Sequence, residues 1–155
     1  TEGDIEIIIK ENQAIFTFGD LTLSSKVLSG SYPDFKKFVS AKCDYRIEIN
    51  REELLAVLKR MSVSTTPTSK SMRLCFADNL LTISVTAVEV GEALDTIAIK
   101  YEGPEIITIF NPEFMMDPLR NLTSDVIYIE LNKESSSGLI KSDIPFLYVI
   151  MPLRG

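Results

Sequence analysis

An internal duplication constrains this chain more than any other feature. A shift of 61 residues superposes Asn50 on Asn111, Leu54 on Met115, Leu55 on Met116, Leu58 on Leu119 and Met61 on Leu122. Each copy reads the same way. Arg46 to Ile49 is a strand, Asn50 is an N-cap with Glu53 three residues on, and the helix runs from Arg51 to about Met61. Its apolar stripe is Leu54, Leu55, Leu58 and Met61. A polar loop from Ser62 to Ser71 leads to three strands, Met72 to Ala77, Leu80 to Ala87 and Ala93 to Tyr101, with Asp78-Asn79 as a hairpin signal. In the second copy Ile106 to Phe110 is the strand, and Asn111 caps a helix with Pro112 at its first position. The stripe is Met115, Met116, Leu119 and Leu122. Pro118 is expected to kink that helix or cut it short. Val126 to Leu131, Gly138 to Ser142 and Phe146 to Leu153 complete the repeat. Neither copy can bury its helix stripe and its sheet face alone, so the two must pack together with both helices on one face of the strands. The fold class is α+β with antiparallel sheets.

The flanking segments read differently. Ile5 to Lys10, Ala14 to Phe18 and Leu21 to Leu28 form a three-stranded meander with one apolar face and no helix of its own to cover it. Ser29 to Ser40 reads as a linker between two domains, punctuated by Gly30 and Pro33 and pinned by Tyr32, Phe35 and Phe38; Lys36 and Lys37 read as a solvated pair. The last residues, Leu147 to Gly155, read as a nearly continuous apolar strand buried on both faces. Pro152 removes a backbone donor and ends the pairing there, so Met151, Leu153 and Arg154 emerge as a short tail, which reads either as a strand that runs out of protein or as the border of a groove for something apolar.

Absences narrow the chemistry. The 155 residues contain no histidine, which removes the commonest general base and most zinc sites. Two cysteines, Cys43 and Cys75, are too few for a disulfide framework and are expected as reduced thiols. The seven glycines stand singly, so no phosphate-cradling loop occurs. Asp78, Asp95 and Asp125 fall at turns or strand edges, where carboxylates need no catalytic role. No enzyme activity and no cofactor is expected. No apolar run reaches membrane-spanning length, no leader opens the chain, and Thr1 reads as a cut point or processed start. A net charge of −6 argues against non-specific nucleic-acid binding by the average surface. The helix backs nevertheless collect cations: the same shift superposes Lys59 on Arg120, with Arg51 and Arg60 beside them. A local positive face of this kind can track a phosphate backbone without reading bases.

Three motifs in order, Tyr-Pro-Asp-Phe-Lys-Lys from Tyr32, Phe-Asn-Pro-Glu-Phe from Phe110 and Tyr-Val-Ile-Met-Pro-Leu-Arg from Tyr148, surround the doubled unit. With them the chain resembles the bacterial DNA polymerase III beta subunit, the sliding clamp. The resemblance implies a DNA-clamp fold of duplicated β-α-β-β-β units. Residues 1 to 34 would be the C-terminal half of the middle domain, and residues 35 to 155 the complete last one. It implies a non-catalytic, cytoplasmic processivity factor that closes as a homodimeric ring around duplex DNA and docks replicative and repair polymerases and the clamp loader. By position, the peptide pocket would draw on Pro33, Lys37, Phe38, Asn111, Phe114, Ser135, Ser137, Val149, Ile150, Met151, Pro152, Leu153 and Arg154. Arg51, Lys59, Arg60 and Arg120 would face DNA, and Val63, Ser64, Glu89 and Glu92 would meet the neighbouring subunit. Lys37 stands where the family often has arginine, and Phe38 where a smaller aliphatic is common. The alternative reading is a free-standing β-rich interaction module that shares the fold without forming a ring.

Overall fold

The computed structural model describes residues 3–32, 34–39, 42–65, 70–87, 91–132 and 137–153, with the side chain of residue 87 excepted. The chain divides into two units, Thr1–Asp34 and Phe35–Gly155.

The first unit is a meander of β1 (Glu6–Lys10), β2 (Gln13–Phe18) and β3 (Leu21–Lys26). Register sets Ile7 opposite Phe16 and Phe16 opposite Leu23, so these residues share one face of the sheet with Ile9 and Phe18. Ile7, Ile9, Leu21 and Leu23 are exposed on it. The apolar face expected from the sequence is present, and within this unit no layer covers it.

The second unit holds α1 (Lys36–Val39), β4 (Tyr45–Asn50), α2 (Arg51–Ser62), β5 (Met72–Ala77), β6 (Leu80–Ala87), β7 (Gly91–Ala98), β8 (Ile106–Phe110), α3 (Pro112–Asn121), β9 (Val126–Leu131), β10 (Gly138–Ser142) and β11 (Leu147–Ile150). The segment read as a bare linker therefore contains one helical turn, α1. Both long helices start as their caps dictate. The Asn50 side chain accepts the Glu53 N–H, and the Asn111 side chain accepts the Glu113 N–H. In α2 the buried stripe is Leu54, Val57, Leu58 and Met61, with Leu55 only half-buried. In α3 the helix continues past Pro118 to Asn121, so the proline neither ends it nor precedes its end directly. The β5–β6 hairpin forms where Asp78-Asn79 predicted, with φ of 49° and 63° at the two residues, the pair of left-handed conformations a type I′ turn needs.

The two copies do not lie simply side by side. One sheet has the order β11-β10-β9-β4 and the other β7-β6-β5-β8. Each is three strands of one copy completed by the first strand of the other. β4 pairs with β9, Ile47 opposite Ile129, and β8 pairs with β5, Thr108 opposite Leu74. The helices α2 and α3 pack on each other. Between helices and sheets runs one core that includes Ile47, Leu54, Leu58, Leu74, Phe76, Phe110, Met115, Leu119 and Ile129.

Candidate functional site

The C-terminal tail leaves the edge of one sheet and reaches the edge of the other. β11 pairs with β10, Gly138 opposite Ile150 and Lys141 opposite Leu147, and lies at the end of its sheet. The strand is thus a half-covered edge rather than one buried on both faces: Leu147 is exposed, Tyr148 and Val149 are half-buried, and only Ile150 enters the core. Beyond it Pro152 has no N–H to offer, and the Leu153 N–H donates to the Ile109 carbonyl of β8 at 2.8 Å. β8 is the open edge of the second sheet. The tail is pinned at both ends, and Met151 and Leu153 are left 57% and 41% exposed.

Other expected pocket residues gather at this crossing. β8 runs directly into Asn111, and Phe114 in the first turn of α3 is 53% exposed on a helix that packs against β11. α1 also packs against β11, bringing in Lys37 and Phe38. Ser137 is buried rather than at a rim, a consequence of its place just before β10 in the middle of the sheet. Pro33, Ser135 and Arg154 lie outside the described residues. What results is an apolar surface of a branched, a thioether and an aromatic side chain beside a strand edge. The Ile109 carbonyl, to which the tail is tied, carried no sequence signal because it is a main-chain group.

The cationic helix backs are more constrained than the sequence suggests. Arg51 does not present its charge to solvent, its side chain being 13% exposed. Its Nε donates to the Ser124 carbonyl at 2.7 Å, Nη1 to the Leu119 carbonyl at 3.1 Å and Nη2 to Glu52 Oε1 at 3.2 Å. Leu119 is in the last turn of α3, whose carbonyls lack helical partners, so Arg51 ties the start of α2 to the end of α3. Arg60 pairs with Asp95 of β7 at 2.7 Å, and Arg120 with Glu113 at 3.2 Å and Asp117 at 3.6 Å. Lys59 is exposed and has no ion-pair partner among the described residues.

The Arg60 hydrogen bond, followed by the Thr96 N–H, holds the Asp95 carboxyl below its ordinary range. A carboxyl depressed on folding stabilises the fold above its unfolded value and loses that contribution as pH falls through its folded value. Carboxyl-carbon NMR should find Asp95 titrating below the ordinary aspartate range, and Arg60→Ala should move its midpoint up. An unmoved midpoint in the variant would dissociate the two groups.

Of the expected subunit contacts, Val63 is 83% exposed just past α2, Ser64 is half-buried, and Glu92 is exposed on β7. Glu89 lies outside the described residues. β7 is an open sheet edge, and Leu94, two residues from Glu92 on the same face, is exposed beside it. Nothing in the apolar pattern of the strand expected from Ala93 to Tyr101 sets Leu94 apart. No group of metal-ligating side chains occurs among the described residues, and no helix there is long and apolar enough to cross a membrane.

A doubled β-α-β-β-β unit with exchanged first strands and paired helices over two antiparallel sheets is the architecture of a DNA clamp domain. Solved clamps carry it: the DNA polymerase III beta subunit of Thermotoga maritima superposes with a TM-score of 0.75 at 25% identity, over 99% of this chain and 42% of that one. The DnaN sliding clamp of Bartonella birtlesii gives 0.74 at 25%, over 99% and 44%. Residues 37–154 match the family model for the DNA polymerase III beta subunit, C-terminal domain, and the chain belongs to that family. Among curated relatives, the beta sliding clamp of Chlamydia pneumoniae is 29% identical over 99% of this chain and 42% of its own length, and that of Pseudomonas putida 26% over the same shares. The chain thus spans about two-fifths of the length of the curated relatives it matches.

Proposed function

We propose that this chain is the C-terminal part of a non-catalytic processivity clamp. Residues 1–34 are the second half of a middle clamp domain and residues 35–155 the last domain. In the complete protein two subunits close head to tail around duplex DNA in the cytoplasm. Val63, Ser64, Glu89 and Glu92 take part in the closure, and Lys59, Arg60 and Arg120 attract the phosphate backbone without reading sequence. Polymerases and the clamp loader dock short extended segments at the tail crossing.

The observation that carries the docking reading is the exposure of Met151, Leu153 and Phe114 around a tail held at both ends. A surface tied down before the ligand arrives spends little ordering entropy on binding. A segment with two apolar anchors buries a few hundred Å2; at roughly 25 cal/mol per Å2, less the cost of association, micromolar affinity results. Calorimetric titration of a glutamine- and leucine-containing polymerase tail peptide into the full-length protein should give that affinity. Met151→Ala with Leu153→Ala should weaken it about tenfold or more, with the melting temperature nearly unchanged because both side chains lie outside the core. Equal affinities would remove the pocket from this position.

A further inference from the structure

The internal twofold relates the tail crossing to a second place in the same unit. The shift that superposes the helices carries Ile109 onto Glu48, Asn111 onto Asn50 and Phe114 onto Glu53. By their place after the third strand following each helix, rather than by that shift, the residues after β7 (Ile99, Lys100) correspond to those after β11 (Met151, Pro152). At the tail crossing, the Leu153 N–H occupies the β8 edge through the Ile109 carbonyl. At the related place the chain turns aside. Ile99 N–H donates to the Asn79 carbonyl at 3.0 Å and Tyr101 N–H to Asn79 Oδ1 at 2.8 Å, so this segment is tied to the β5–β6 hairpin instead of to β4. A cleft of about 440 Å3 remains, lined by Glu48, Ile49, Asn50, Glu53, Val126 and the segment Ala98 to Lys100.

One wall of the cleft is a strand edge with its main chain turned outward. The Arg51 N–H donates to the Asp125 carbonyl at 2.9 Å, continuing the ladder in which Asn50 faces Val126 and Glu48 faces Tyr128. Hydrogen-bonded and non-bonded pairs alternate in an antiparallel ladder, so the main-chain groups of Glu48 point away from β9. They occupy the position from which Ile109 accepts the tail. The side chains differ: where the tail crossing has Ile109 and Phe114, this cleft has two exposed carboxylates over an apolar floor of Ile49, Ile99 and Val126. Lys100 on the opposite wall is exposed and would repel a cation placed on that side.

We propose that this cleft is a second docking site, taking an extended basic peptide segment whose main-chain N–H donates to the Glu48 carbonyl and whose cationic side chain lies between Glu48 and Glu53. The tail crossing supplies the precedent, an extended segment already seated on the related edge, and the exchanged wall chemistry sets the preference for a cation. The inference rests on the internal twofold and stands whether or not the tail crossing binds polymerases.

The test uses this chain, isotope-labelled, with a capped six-residue peptide alternating leucine and arginine, and a control peptide with glutamate for arginine. Saturable amide shifts should concentrate at Glu48 to Asn50 and Ala98 to Lys100. The glutamate peptide should leave them unmoved. Glu48→Lys with Glu53→Lys should weaken binding at least about tenfold, Glu48→Gln with Glu53→Gln should weaken it in the same direction without charge reversal, and Met151→Ala with Leu153→Ala should change nothing. Shifts confined to the tail and β8, non-saturating shifts at acidic residues generally, or equal response to both peptides would overturn the proposal. So would self-association of the unliganded chain that the Glu48 and Glu53 variants abolish, which would give the cleft to a second copy's tail.

Discussion

Phe110→Ala is expected to destabilise the second unit by about 3–5 kcal/mol, a large part of the stability a domain of this size has. Phe110 is fully buried at the end of β8, the strand that the second copy lends to the first copy's sheet. Its ring also reaches the other sheet, since a Cβ added to Gly138 of β10 would meet Phe110 Cζ at 3.3 Å. The substitution therefore opens a void where the two sheets meet, with rigid neighbours on both sides. Urea denaturation followed by circular dichroism measures it. A loss below about 1 kcal/mol would mean that the surroundings collapse into the space. The same contact gives a coupling test: Gly138→Ala should cost less in the Phe110→Leu background than alone, because part of its crowding comes from that ring.

Arg51→Ala should cost about 2–4 kcal/mol, unusual for a charged residue on a helix. The side chain is mostly withdrawn from solvent and satisfies the Ser124 and Leu119 carbonyls. Its removal leaves acceptors at the negative end of α3 without a donor. Arg51→Lys should recover less than half, because an ammonium is a point donor and cannot span two carbonyls as the guanidinium fork does. The two variants are compared by the same denaturation. A full rescue by lysine would reduce the role of Arg51 to its charge.

The sequence made the secondary structure legible because each element carried its own local instruction. Asn50 and Asn111 start the helices, and Asp78-Asn79 closes the hairpin. The exchange of β4 and β8 between copies was not legible. Pairing across the repeat depends on which edge is free when the units meet, and the Ile-rich strands β4 and β8 fit either sheet equally by pattern. For the candidate site, Met151 and Leu153 stand out as apolar residues on either side of a punctuating proline, whereas Phe114 enters only through the family resemblance. Arg51 reads from sequence as a DNA-facing cation and is instead a tie between helix ends, because the carbonyls it serves belong to main chain far along the sequence. Leu55 and Val57 traded places for a plainer reason: on a twelve-residue helix both border the stripe, and the adjoining sheet decides which is covered.

The exchanged strands also order the assembly of the unit in time. Every strand of the sheet β7-β6-β5-β8 lies between Met72 and Phe110, so that sheet can close as soon as Phe110 has left the ribosome. The other sheet cannot. β4 is among the earliest strands of the unit to be synthesised, yet its partner β9 and the strands beyond it come last. During synthesis β4 stays an unpaired, isoleucine-bearing edge until β9 has emerged, and its pairing closes the longest loop within that sheet. The same late sheet takes up β11 through β10, so the strand that presents Met151 and Leu153 belongs to the half of the unit that closes second.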